Sequence, residues 1–159
     1  MTDAPLGRSA IYQVLTTGYV GSTGPGVAAT VSYVFDAGRH VIFDPGMVAS
    51  HDDILAPLAE LGLGPDDITD VVLSHHHPDN TMNVGLFGRA RVHDHKVEYR
   101  GDQWTNRDAE GYELTPSLRL IRTPGHSPRT SRCWRARTRA WWPSPATCGG
   151  TRTARRTTR

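Results

Sequence analysis

Residues 67–75 read Asp-Ile-Thr-Asp-Val-Val-Leu-Ser-His, with three apolar side chains in succession, Val71, Val72 and Leu73. A half-solvated strand alternates apolar and polar residues, whereas a continuous apolar centre belongs to a strand buried on both faces. This one segment therefore requires material on either side of it. It also runs straight into a histidine cluster, so chemistry-bearing residues stand where a buried strand ends.

The flanking segments supply the remaining elements. Residues 11–20 are β-branched and aromatic and predict a strand, and 21–28 are too glycine-rich for anything but a loop. Residues 29–46 predict a hairpin, two β-branched runs around Asp-Ala-Gly-Arg with Asp-Pro-Gly closing the second. Residues 50–64 predict a helix. Ser50 or an adjacent aspartate caps it, Ile54, Leu55, Leu58 and Leu61 recur at helical spacing, and Gly62 and Gly64 stop it. Its Pro57 is expected within about the first turn, where proline is tolerated. A short helix or turn follows over 80–88, then strands over 90–100 and 117–127. Strands and helices in this order predict a mixed α/β fold.

His75, His77 and Asp79 follow one another at two-residue intervals in Ser74–Asn80 (SHHHPDN). A loop leaving a strand can aim His75 and His77 at one ion, and neutral imidazole with carboxylate suits zinc. His126, in the tight turn Thr-Pro-Gly-His-Ser, is the natural third histidine. Such a centre lowers the pKa of a bound water to about 7 and yields a hydroxide nucleophile at neutral pH. Asp79 is either a ligand or a hydrogen-bonding loop residue. His76, between two ligands, is expected to point away. His40, His51, His93 and His95 have no partner at ligand spacing and read as surface or core histidines. His93 and His95 alternate on one predicted strand, so they also stand as supporting residues that could face the site together.

The stretch VVLSHHHPDNTMNVGLF resembles the HxHxDH signature of the metallo-β-lactamase fold hydrolases. VIFDPG (41–46) is similar to that family's strand and DxG element, and LIRTPGHSP (120–128) to its third-histidine turn. The likeness covers about residues 10–128, and the GLF after the motif is similar to the small single-domain "domain-containing protein 1" subgroup. The resemblance implies a four-layer αββα sandwich with zinc at the edge of the sheets. It implies a first metal on His75, His77 and His126, and a second on Asp79, a histidine at position 80 and a late histidine, with a further aspartate bridging both. It gives Asp44 the role of a supporting residue. Position 80 is Asn80, a weak zinc ligand, and no acid and no histidine follows His126, so one tightly held ion is expected.

Composition matters for the last 31 residues. Residues 129–159 hold nine arginines, three of the four tryptophans and no acid, leucine, isoleucine, valine, methionine, phenylalanine or tyrosine. The first 128 residues carry the other nine basic residues against all 16 acids, a net of −7, so the overall +2 conceals a split. The tail is expected to form no strand or helix core and to be disordered. A one-nucleotide frame shift explains it. It forces Trp141-Trp142-Pro143 to read x-Val-Ala, and permits EDVTLLARTDEGVVAVTGDLWW over residues 129–150. The nucleotide sequence around the codon of Pro128 tests this. On that reading residues 1–128 form an incomplete domain, one sheet's apolar face and an edge are exposed, and poor solubility or a molten state is expected.

Cys133 and Cys148 give no CxxC and no disulfide framework, and no apolar run approaches the roughly 18 residues of a membrane span. The expectation is a cytoplasmic protein that does not engage a membrane. The leading function is a zinc-dependent hydrolase of a small ester, amide, thioester or phosphodiester substrate, with Asp79 orienting the water. The alternatives are a catalytically impaired fragment, and nucleic-acid binding through the arginine-rich tail.

Overall fold

The computed structural model describes residues 10–21, 24–123 and 133–137, with 122–123 and 133–137 described through their backbone alone. In chain order, β1 (Ile11–Thr16), β2 (Tyr19–Val20), β3 (Val27–Ala28), β4 (Val31–Asp36) and β5 (Arg39–Phe43) precede helix α1 (Asp52–Glu60). Then come β6 (Asp70–Val72), the one-turn helix α2 (Pro78–Thr81), β7 (Arg91–His93), β8 (Val97–Arg100), β9 (Gln103–Asn106), β10 (Arg119–Thr123) and β11 (Cys133–Arg137). Seven strands form one sheet in the order β1-β4-β5-β6-β7-β8-β9, and β2–β3 and β10–β11 form separate two-stranded ribbons. β5, β6 and β7 are mutually parallel. The outer pairings are antiparallel.

The expected burial of the central strand on both faces is present. Val71 joins one apolar cluster with Val31, Tyr33, Ile42, Ile54, Leu58 and Phe87. Val72 joins another with Val34, Val41, Ala109, Leu114, Leu118 and Leu120. Alternation along β4 and β5 divides Tyr33 from Val34 and Val41 from Ile42, as the two-residue period of a strand requires. α1 covers the first face with Ile54 and Leu58, both fully buried. The second face over the central strands is not bare, contrary to expectation: residues 109–120 lie across it and bury Ala109, Leu114, Leu118 and Leu120. The sheet's margins are more open, with Ile11 and Trp104 well exposed on β1 and β9.

The 29–46 hairpin forms as read. Its turn residues Ala37 and Gly38 have φ of 50° and 80°, the left-handed pair that a two-residue hairpin turn demands. Ser50 Oγ accepts the Asp52 N–H at 3.2 Å while the Asp53 carboxylate accepts the Ser50 N–H at 3.1 Å, so serine and aspartate cap α1 reciprocally. Pro57 sits in the second turn of α1, later than expected. It is half-buried and removes a single hydrogen bond from a short helix.

Two readings need correction. Residues 90–100 are not one strand but the hairpin β7–β8, because Asp94 breaks the run: its Oδ1 accepts the N–H groups of Lys96 and Val97, both at 2.7 Å. Within the tail, the backbone of Cys133–Arg137 pairs antiparallel with β10, although no strand was expected there. Ladder bonds are made by the backbone and do not require apolar side chains. The rest of the tail lies outside the described residues.

Asp70 ties the three parallel strands together. It is fully buried and accepts from Arg39 Nε at 2.7 Å, Thr69 Oγ1 at 2.7 Å and His93 Nε2 at 2.8 Å, with Arg39 Nη2 close by and Arg91 Nε at 3.3 Å. Burial alone would raise its pKa, but the bonds from His93, Arg39 and Thr69 outweigh that and hold the carboxyl well below the usual range.

Candidate metal centre

Parallel strands deliver their following loops to the same end of a sheet, and ligand sites in open α/β sheets lie there. β5 leads into Asp44-Pro45-Gly46, β6 into Ser74–His77, and β7 into Asp94-His95. The first two loops and α2 form one connected unit. Gly46 N–H donates to Asn80 O at 3.1 Å and Asn83 N–H to Gly46 O at 3.1 Å. Asp79 O accepts from Ala29 N–H at 3.2 Å and from Met47 N–H at 3.0 Å. Gly46 is required here: its φ is +68°, and a Cβ would stand 2.9 Å from Val31 Cγ2.

His75 Nε2 and His77 Nδ1 stand 3.1 Å apart. Two imidazole nitrogens on one tetrahedral zinc, with bonds of about 2.0–2.1 Å, are separated by about 3.3 Å. The separation of the pair is thus close to that of two ligands on one ion. Ser74 Oγ lies 2.9 Å from His75 Nδ1. Asn80 Nδ2 also donates toward Ser74 Oγ, at 3.5 Å. That network favours the tautomer in which Nδ1–H donates to the serine and Nε2 keeps the lone pair a metal needs.

Asp44 supports this arrangement from beneath. Its Oδ1 accepts the Ser74 N–H at 2.7 Å and its Oδ2 accepts Asn80 Nδ2 at 3.0 Å. Its φ of 48° is unusual for a residue with a side chain, and strain of this kind is retained where surrounding contacts over-determine it. Burial pushes the carboxyl up to about 6, with a contribution from the nearby Asp79 charge, against hydrogen bonds from Ser74 and Asn80 that lower it. Asn80 is itself buried and turns its amide nitrogen to Asp44. Asp79 is half-buried in the first turn of α2, and its charge reaches Asp44. His126 lies outside the described residues, three positions past the end of β10.

The other histidines are distributed differently from the reading of sequence spacing. His93 does not face the site with His95: it is fully buried, bonded to Asp70 through Nε2 and 2.9 Å from Arg107 Nη2 through Nδ1. His76 leaves the His75–His77 pair as expected but is not idle. Its Nε2 is 3.0 Å from Asp94 Oδ2, and its ring meets that of His95 edge-on at 5.9 Å. Asp94 also accepts the Tyr99 hydroxyl at 2.9 Å. Burial would raise the Asp94 pKa, yet the Lys96, Tyr99 and Val97 donors hold it below the ordinary value. The signal that sequence reading passed over is Asp94 as a turn-forming aspartate between two histidines.

The metallo-beta-lactamase superfamily model matches residues 24–122. The human metallo-beta-lactamase domain-containing protein 1 is 32% identical over 90 residues, covering 54% of this chain and 34% of that protein. An N-acyl homoserine lactonase AiiB of Agrobacterium fabrum is 44% identical over 55 residues, covering 35% of this chain and 20% of that protein. A crystal structure from Thermotoga maritima, described as that of a metallo-beta-lactamase, superposes with a TM-score of 0.62 at 26% identity, covering 84% of this chain and 75% of that one. The matched region spans only about a third of the length of the curated relatives, 30%, 38% and 34% for three of them.

Proposed function

Because the chain belongs to the metallo-β-lactamase superfamily, we propose that it is a zinc-dependent hydrolase whose ion is held by His75, His77 and His126, with Asp79 serving the attacking water or a second ion. The observation that carries the reading is the 3.1 Å approach of His75 Nε2 to His77 Nδ1, with Ser74 beside the opposite nitrogen of His75. A bound zinc ion supplies Lewis acidity and a water whose pKa falls to about 7. The chain's own residues do the rest. Ser74 sets the His75 tautomer, and Asp44 fixes Ser74 and Asn80. Asp79 orients the attacking water, as a carboxylate acceptor within the first turn of α2. The substrate is a small molecule with an ester, amide, thioester or phosphodiester bond. A lactone ester is the first to assay, since N-acyl homoserine lactonases are among the matched relatives.

Zinc analysis of the purified 159-residue chain tests this directly. One equivalent that is lost on His77→Ala supports it. No bound zinc, or a zinc content that His77→Ala leaves unchanged, defeats it. A second reading, a chain that binds metal without turnover, is favoured by Asn80, whose amide nitrogen is committed to Asp44. Hydrolysis of a lactone, a thioester and a phosphodiester by the zinc-loaded chain separates the two.

A further inference from the structure

We propose that His76, Asp94 and His95 form a second metal site, distinct from the His75–His77 pair, for a divalent transition ion such as zinc. One ligand atom from each lies within 4.8 Å of the other two. Tetrahedral donors on zinc stand about 3.3 Å apart, and His76 Nε2 and Asp94 Oδ2 are already at 3.0 Å. Closing the wider gaps takes a movement of at most about 1.5 Å on that tetrahedral standard. The remaining separations both involve His95, and the His76 side chain, 55% exposed, has room to adjust toward it.

The central ligand is held in place without help from either imidazole. Asp94 Oδ1 accepts from Lys96 N–H and Val97 N–H, each at 2.7 Å, and Oδ2 accepts the Tyr99 hydroxyl at 2.9 Å. Donors of this kind orient a ligating carboxylate and lower the cost of assembling a site. A simple histidine–aspartate hydrogen bond would need no second imidazole, yet the His95 ring lies against that of His76. Two imidazoles and one carboxylate suit zinc, cobalt and nickel and discriminate against magnesium and calcium, which prefer oxygen donors. An ion held here would clamp the 75–77 loop to the β7–β8 turn, steadying His75 and His77 from the neighbouring strand.

Cobalt(II) is the probe, since its visible absorption reports imidazole and carboxylate coordination. The full chain is titrated beside His76→Ala, His95→Gln and His77→Ala. Two equivalents are expected for the unaltered chain. His76→Ala and His95→Gln should each abolish the same one, or weaken it about tenfold or more, and His77→Ala should remove the other. The proposal is overturned if His76→Ala and His95→Gln both bind as many ions as the unaltered chain with unchanged affinity. A single ion removed only by His77→Ala also overturns it while leaving the hydrolase reading intact. A single ion removed only by the other two variants sustains it and overturns the hydrolase site. No bound cobalt refutes both.

Discussion

Replacing Asp70 with asparagine should destabilise the fold by about 3 kcal/mol. Both carboxylate oxygens of Asp70 accept from donors: Oδ1 from His93 and Arg39 with Arg91 nearby, Oδ2 from Arg39 Nε and Thr69 Oγ1. Whichever way an asparagine amide turns, its NH₂ meets a donor, and the arginines lose their counter-charge. Removing one partner of a buried pair costs about 3–5 kcal/mol. The low end applies because the Arg39 and Arg91 side chains retain 24% and 31% exposure and can recover hydration. With a urea m-value of about 2 kcal/mol per molar, the midpoint should fall by about 1.5 M. The pH dependence provides an independent arm. A carboxyl held below its unfolded value contributes stability that is present above about pH 3.9 and lost as pH falls through the folded value. The gap between the two proteins should therefore be full at pH 7 and narrow below about pH 4. A midpoint shift under about 0.5 M at pH 7, or a gap that widens in acid, refutes the account of Asp70 as the tie between β5, β6 and β7.

Three further outcomes are expected. Ser74→Ala should weaken zinc binding about tenfold or more without unfolding the chain, read by competition with a chromogenic chelator. An unchanged affinity removes the serine from its role at His75. Asn80→Ala deletes a donor to the ionised Asp44 carboxyl and should push its pKa above about 6, seen as a later midpoint in a carboxyl carbon NMR titration. Because that pKa is already raised, Asp44 contributes stability below the unfolded value that is lost as pH rises toward about 6, and the variant should extend the loss to higher pH. Gly46→Ala should cost about 1–2 kcal/mol from its left-handed backbone alone, with Val31 contact adding to it. Thermal unfolding at the unaltered chain's midpoint would expose a neutral substitution.

The parts of this fold that sequence displayed are those set by local rules. Asp-Ala-Gly-Arg announces its turn through Gly38, which takes a left-handed φ without cost while Ala37 beside it does so against its own preference, and Val71-Val72 announces burial on both faces because nothing polar interrupts it. The Asp70 network was silent, since Arg39, Arg91 and His93 reach it across strand pairings, thirty-one residues away in one case. His75 and His77 were legible through spacing. Ser74 was not, because its contribution depends on a ring orientation that no spacing reveals. His93 and His95 misled for a related reason: alternation predicts a common face only while a strand continues, and Asp94 ends this one.

The two hydrogen bonds that Asp79 O accepts from Ala29 and Met47 have an evolutionary consequence. The backbone of α2 is anchored by main-chain groups that every non-proline residue carries at those positions. Substitution along 79–80 therefore changes the donor set without dismantling the platform beneath it. On the proposed reading of the site, exchanging asparagine for histidine at position 80 takes one nucleotide and would add a nitrogen donor on a frame already in place.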